Sequence, residues 1–365
     1  MPTVQPGSKI LVTGASGFIA VWIVKYLLQN HFMVRGTVRS EEKGEYLKEL
    51  FKEYGSQFEY VIVEDMSVDG AFDEAVKGMD AIEHTASPFH FLADNPDEII
   101  KPAVLGTLNI LESALKFGGV SLKRVVVLSS TYAIIEPVPE GQQRIFTEKD
   151  WNEFSIKEIE EKGKDAAGHH KYKASKTLAE KGLYILFIFI DSVDNNNNNR
   201  PSAAWKFMKV NAEKFSWDLV TINPPFVLGP PLHDIPNIAG INTSLMDFYR
   251  VITGELKASP LQYDNWVDVR DVAEAHIRVL TTDKAGGERF IIAASPYSLQ
   301  DILDAVHSEP SEETFSNVPR GSPGADMVYS VVMDSSKAKN MLGLKFITID
   351  KTVKGTARNL LSRQW

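Results

Sequence analysis

Lys9-Ile-Leu-Val-Thr13, running straight into Gly14-Ala-Ser-Gly-Phe-Ile-Ala20, is the stretch that decides the fold. The first five residues form a short apolar run suited to a buried parallel strand. A helical pattern follows over 18–30, with Ile19, Ile23, Tyr26 and Leu27 at helical spacing. Gly14-x-x-Gly17-x-x-Ala20 therefore lies between a strand and a helix, the context in which small residues let backbone approach a pyrophosphate at a helix N-terminus. Gly14, Ser16, Gly17, Phe18 and Ile19 are candidate dinucleotide contacts. Taken alone, the pattern also fits a tight turn with no ligand.

Working outward, strand signals recur at 33–38, 60–63, 81–84, 124–129, 219–223 and 289–293, and a helical pattern covers 103–117. Alternation of this kind predicts an α/β fold, a Rossmann-type doubly wound parallel sheet with helices on both faces. Residues 1–227, joined by 265–297, are expected to form the nucleotide-binding domain. Residues 228–264 and 298–365 are expected to form a smaller C-terminal substrate lobe. No internal repeat is visible.

The chain has 365 residues, 44% hydrophobic and 24% charged, the composition of an ordinary globular enzyme. Its net charge is −9 and its basic residues are scattered, which argues against nucleic acid or an anionic membrane as partner. Cysteine is absent, so disulfides, thiolate chemistry and a thiolate zinc site are excluded. No signal peptide or spanning segment is visible, which makes the cytoplasm the expected location.

The end of the second strand selects the nucleotide. A carboxylate there would bond a ribose 2′-hydroxyl, but this chain reads Thr37-Val38-Arg39-Ser40 with Lys43 a turn later. A guanidinium can take a 2′-phosphate through parallel charge-assisted bonds, so NADP(H) is the expected cofactor, with Glu41 and Glu42 the opposing charges nearby. Asp65, followed by Met66, is placed to meet the adenine amino group. Thr85, Ala86 and Ser87 follow the fourth strand, where backbone can line the dinucleotide.

Chemistry is signalled further on. Ser129-Ser130 closes the fifth strand at the carboxyl end, where open α/β sheets bind ligands. In Tyr172-Lys-Ala-Ser-Lys176, positions i and i+4 share a helix face, setting an ammonium beside a phenol. A fixed cation is expected to lower the phenol's pKa from about 10. Tyr172 thus reads as a proton donor, Ser130 as a donor that polarises a carbonyl, and Lys176 as the group that tunes the phenol and bonds the nicotinamide ribose.

With these strings in order, the chain resembles the extended short-chain dehydrogenase/reductases. It is most similar to the branch holding dihydroflavonol reductase, cinnamoyl-CoA reductase and the fungal NADPH-dependent aldehyde and ketone reductases of methylglyoxal type. Supporting strings include His84-Thr-Ala-Ser-Pro88, Asn223-Pro-Pro-Phe-Val-Leu-Gly-Pro230 and Asp268-Val-Arg-Asp-Val272, so that the resemblance spans nearly the whole chain. It implies that Ser130, Tyr172 and Lys176 form the catalytic triad and that Arg39 and Lys43 read the 2′-phosphate. Pro224 and Val227 would sit by the nicotinamide, with Phe89, Tyr132 and Phe226 walling the substrate pocket. Relatives often carry Asn-Gly-Thr where this chain has Leu105-Gly106-Thr107, so a proton relay through that asparagine is not available.

The resulting expectation is an NADPH-dependent carbonyl reductase acting on a small-molecule aldehyde or ketone, as a monomer or homodimer. The alternatives are a nucleotide-sugar epimerase or dehydratase of the same fold, and a regulator that senses NADP without turnover. Metal binding by His169-His170 is not expected, because neighbours on a helix point about 100° apart. Trp151, Trp205 and Trp266 read as packing residues, Asp268 and Asp271 as caps of the following helix. Asn242-Thr-Ser is a sequon in form only.

Residues 182–202 do not fit this scheme. Leu183-Tyr-Ile-Leu-Phe-Ile-Phe-Ile190 is an apolar run of eight residues, too short to span a bilayer, and five asparagines follow at 195–199. The stretch interrupts the helix that carries Tyr172 and Lys176. Its 21 residues read as a retained intron or gene-model error, or else as a genuine inserted surface loop.

Overall fold

Three residues show why the first strand is central. In β1 (Lys9–Thr13), Ile10 and Val12 pack into the core on one face of the sheet and Leu11 into the core on the other, all fully buried. Side-chain direction alternates along a strand, so a continuous apolar run fits a strand covered on both sides. The computed structural model describes residues 3–87, 94–181, 216–256, 263–309, 313–323 and 329–363. Phe89, Trp205 and the stretch 182–202 lie outside the described residues.

From β1 the chain continues through α1 (Phe18–Gln29), β2 (Met33–Val38), α2 (Glu41–Leu50), β3 (Phe58–Ile62), β4 (Ala81–His84), α3 (Asp97–Phe117) and β5 (Arg124–Leu128). Then come β6 (Arg144–Phe146), α4 (Glu153–Lys162), α5 (Gly168–Lys181), β7 (Asp218–Asn223), β8 (Phe226–Leu228), α6 (Thr243–Thr253), β9 (Tyr263–Asp268) and α7 (Val269–Thr281). The C-terminal part holds β10 (Arg289–Ile291), β11 (Ser295–Ser298), α8 (Leu299–His307), β12 (Val331–Met333), α9 (Ser336–Leu342) and α10 (Ile349–Leu361).

Seven strands form one parallel sheet in the order β10-β7-β5-β4-β1-β2-β3. The order reverses between β1 and β4, and such a switch point opens a crevice at the carboxyl ends of the strands. Helices α1 and α7 pack together over one face, α3 and α5 over the other. Two small sheets complete the fold: β11-β9-β8 and β12-β6. Each joins segments distant in sequence, β6 pairing in parallel with β12.

Several boundaries differ from expectation, among them those of β3 and α3. Strand β3 starts at Phe58, two residues early, because Phe58 packs its buried ring with Phe51 at 5.4 Å. Helix α3 starts at Asp97 and carries Pro102 inside it. Pro102 is the sixth helical residue, so it forgoes the bond an amide there would make to the Glu98 carbonyl and leaves a gap early in the ladder.

Buried charges tie the layers together. Arg124, 1% exposed, holds Asp218 through two bonds of 2.6 and 2.8 Å and donates to the carbonyls of Val279 and Thr282 at the end of α7. Under the sheet, Glu83 Oε2 meets His276 Nδ1 at 2.5 Å, with both residues fully buried. Glu83 Oε1 and His276 Nε2 have no partner among the described residues. Burial pushes the Glu83 carboxyl up, against the opposing pull of His276 and Arg124.

Asp268 caps α7 as expected, accepting from Arg270 N at 2.8 Å. Asp271 does not: its Oδ2 accepts from Ile347 N at 2.9 Å and so pins the approach to α10. Among the described residues no helix is long and apolar enough to cross a membrane.

Candidate active site

The glycine turn is held by hydroxyls and backbone. Thr13 Oγ1 accepts from Thr85 N and Ala86 N at 3.1 Å each, and the Thr85 hydroxyl donates back to the Thr13 carbonyl. Gly14 N donates to Thr37 Oγ1 at 3.1 Å and Ala15 N to the Thr37 carbonyl at 2.9 Å. Gly14 sits at φ +63°, and a Cβ there would lie 3.1 Å from the Ala86 Cα. Both the conformation and the close approach require glycine.

Helix α1 begins immediately after, with no side-chain cap on its first amides and no acidic residue in its first turn. Its positive end is left to an outside anion. At the end of β2, Arg39 and Lys43 are exposed, and neither makes a hydrogen bond or ion pair with a described residue. The opposing carboxylates Glu41 and Glu42 are exposed as well. An uncapped helix start, a backbone-lined turn and two free cations fit an NADP(H) diphosphate and 2′-phosphate.

A cleft of 380 Å³ runs from this turn along the carboxyl ends of the strands. Of the residues expected from sequence, Gly14, Gly17, Phe18, Ile19, Thr85, Ser87, Ser130, Tyr132, Tyr172, Lys176, Pro224, Phe226 and Val227 line it. Ser16, Arg39, Lys43, Asp65, Met66 and Ala86 stand outside its walls. Asp65 is exposed, and its Oδ1 takes Ser67 N at 2.8 Å and Ser67 Oγ at 2.6 Å, which holds its carboxyl below the usual range. Met66 is half-buried, and its carbonyl is fixed by Asn109 Nδ2 at 2.9 Å.

Ser130 begins a short turn over Thr131–Ala133, its Oγ accepting from Tyr132 N at 3.1 Å. That bond orients the hydroxyl while leaving its own proton to be donated. Tyr172 and Lys176 are 5% and 8% exposed, on the face of α5 that looks into the cleft. Lys176 Nζ lies 5.8 Å from the Tyr172 ring centre and donates to Ser87 Oγ at 3.0 Å.

The electrostatics depart from expectation. Burial raises the Tyr172 phenol rather than lowering it. Burial also brings the Lys176 ammonium down to about 8, against a smaller opposing effect of Glu180. In a site this enclosed, loss of water outweighs one amine several ångströms away. The phenol keeps its proton at neutral pH, as a donor must.

Behind Ser130 lies a network that sequence reading missed. Glu180, 1% exposed, accepts from Ser129 Oγ at 2.5 Å, Asn223 Nδ2 at 2.7 Å, Arg289 Nε at 2.6 Å and Thr221 Oγ1 at 3.1 Å. Asn223 Nδ2 also donates to the Ser130 carbonyl at 3.1 Å. One carboxylate on α5 thus sets the ends of β5 and β7, and with them the serine. Trp151, under the Arg289 guanidinium at 3.6 Å, helps hold the arginine in place. Only the helical spacing of Glu180 with Tyr172 and Lys176, at i+8 and i+4, hints at this role.

The far end of the cleft carries polar groups beside its aromatic walls. Tyr132 packs edge-on against Tyr172, ring centres 5.9 Å apart, and donates to Asp264 Oδ2 at 3.0 Å. Lys173 Nζ lies 5.0 Å over the Tyr132 ring. Phe226 stands 6.0 Å from the Tyr297 ring. Helix α6 adds Asn242, Thr243, Ser244 and Asp247, none of them anticipated as site residues. His169 and His170, expected to diverge, have ring centres 4.1 Å apart, and His170 Nδ1 meets Ser155 Oγ at 3.0 Å. No group of side chains among the described residues could hold a metal ion.

Comparison with known proteins agrees with this architecture. Residues 10–181 match the model of the NAD dependent epimerase/dehydratase family. An uncharacterised oxidoreductase of Schizosaccharomyces pombe is 35% identical over 364 residues, covering 98% of both chains. The NADPH-dependent methylglyoxal reductase of Saccharomyces cerevisiae is 32% identical over 364 residues, covering 97% of this chain and 98% of its own. The crystal structure of yeast methylglyoxal/isovaleraldehyde reductase complexed with NADPH superposes with a TM-score of 0.81 at 29% identity, covering 97% of this chain and 98% of that one. This chain belongs to the NAD dependent epimerase/dehydratase family, among its extended short-chain reductases and close to the fungal NADPH-dependent methylglyoxal reductases.

Proposed function

We propose that this chain is an NADPH-dependent carbonyl reductase that takes an aldehyde or ketone, with Tyr172 as proton donor. The observation that carries the reading is the meeting of Ser130, Tyr172 and Lys176 in one cleft with the glycine turn. NADPH, when bound, supplies the hydride that reduces the carbonyl carbon. The turn from Gly14 to Ile19 would hold its diphosphate, Arg39 and Lys43 its 2′-phosphate, and Asp65 and Met66 its adenine. Thr85, Ala86, Ser87, Pro224 and Val227 would line its path.

The protein's own part is positioning and proton transfer. Ser130 Oγ, oriented by Tyr132 N, donates a hydrogen bond that polarises the substrate oxygen. The Tyr172 phenol, protonated because it is buried, delivers the proton as negative charge develops on that oxygen. Lys176 steadies the tyrosinate left behind, while its bond to Ser87 holds the ammonium on the cofactor side. Tyr132 and Phe226 wall the substrate. A monomer or homodimer in the cytosol completes the proposal. An acidic residue would be expected in place of Arg39 in an NAD-holding epimerase, and a mere sensor would not need the Tyr/Lys pair.

Tyr172→Phe tests the assignment. We expect aldehyde-dependent NADPH oxidation to fall by about 10²-fold or more, with NADPH binding by fluorescence titration retained. Turnover equal to that of the parent protein would refute the role of Tyr172.

A further inference from the structure

The substrate end of the cleft carries a carboxylate that none of the chemistry above uses. Asp247 lines the cleft one turn into α6, beside Asn242, Thr243 and Ser244. It makes no hydrogen bond or ion pair with a described residue. The other acid at this end, Asp264, is fully engaged: it accepts from the Tyr132 hydroxyl and from Asn265 N, and Lys173 offsets its charge. Burial, and after it both acids, push the Tyr297 phenol up, and Tyr297 packs beside Phe226 in the cleft wall. Burial pushes the Asp247 carboxyl up, and Arg250, the exposed cation nearest along its own helix, opposes that through space. Lys176 sits at the cofactor end, bonded to Ser87.

A half-buried, unpaired carboxylate facing a narrow cleft imposes a negative potential there, because the low-dielectric walls focus its field. Among the described residues the cations beside the cleft are engaged, Lys173 with Asp264 and Lys176 with Ser87, so an anionic substrate meets that charge without a free partner, whereas an ammonium group gains one. We propose that Asp247 sets substrate charge preference: the cleft discriminates against carbonyl compounds bearing a carboxylate and favours neutral or cationic ones. This rests on the reductase reading of the cleft and extends it to a substrate class.

The test uses three aldehydes of one shape: 4-formylbenzoate, its methyl ester and 4-(trimethylammonio)benzaldehyde. Each is assayed with NADPH on the full-length chain and on Asp247→Asn, and intrinsic reactivity cancels in the variant-to-parent ratio. Relative to the ester, the variant should gain about tenfold in kcat/KM for the carboxylate and lose a similar factor for the cation. Equal ratios for all three substrates would overturn the proposal.

Calorimetric titration of the three corresponding alcohols into the NADPH-loaded protein, a complex with no hydride acceptor, gives a reading that does not depend on turnover. It should show the same order, cation above ester above carboxylate, compressed in the variant. A protein that reduced none of the aldehydes would break the reductase reading, while the order of alcohol affinities would still decide for or against Asp247. A second variant, Asp247→Glu, keeps the charge and should restore the parent order; failure to do so would count against a charge effect.

Discussion

Glu180 and Glu83 are buried carboxylates on opposite faces of the same sheet, and they are supplied quite differently. Glu180 has four donors from three other elements, one of them a guanidinium. Glu83 has one, the His276 ring, and its second oxygen meets nothing among the described residues. A buried charge is tolerable when hydrogen bonds replace the water it has lost. This fold concentrates its polar partners at the carboxyl ends of β5 and β7, where the serine must be aimed. Elsewhere it leaves a carboxyl pushed toward its neutral form.

Three substitutions test that contrast. Arg289→Met should have the largest effect: it removes the counter-charge of Glu180 and should cost about 3–5 kcal/mol in urea unfolding. A cost below about 1 kcal/mol would show that the three neutral donors suffice.

Asp271 offers a case between the two extremes. Burial brings its carboxyl up to about 7, opposed by the bond from Ile347 N. An acid raised in the folded state stabilises fully below its unfolded pKa and loses that contribution as pH rises through the folded value. The stability of the parent relative to Asp271→Asn should therefore fall between pH 4 and 7, by about 4 kcal/mol. A difference that is flat with pH would remove Asp271 from the series.

The smallest effect is expected for Glu83→Gln. The amide oxygen can still accept from His276 and no charge is buried, so stability should stay within about 1 kcal/mol of the parent. A loss as large as that of Arg289→Met would erase the distinction between the two sites.

Much of this was legible in the sequence because it is local. The strands at 9–13, 33–38 and 81–84 are apolar runs, and the glycine turn between β1 and α1 is a spacing that survives without context. Tyr172 and Lys176 could be placed on one face because the helical period is short. Glu180 could not be read in the same way. A glutamate on a helix is usually solvated, and only the meeting of β5, β7 and β10 around it reveals its burial. The phenol's electrostatics failed for a related reason: spacing shows the ammonium, but enclosure, which wins, depends on residues far along the chain. Helix α6 was opaque as a site element: Asn242-Thr-Ser read as a sequon in form only, and no spacing marks Asp247.

The pairing of β6 with β12 has a consequence for the order of manufacture. Residues 144–146 leave the ribosome long before 331–333, their hydrogen-bonded partner. Contacts so distant in sequence form late, after shorter loops have closed. Every residue we assign to the chemistry has therefore been synthesised before the segment beside the serine turn can settle. A nascent or truncated chain ending before Val331 would carry the full set of catalytic side chains without the neighbour that completes their surroundings. The last few dozen residues, which hold none of those groups, act as the final step in building the site.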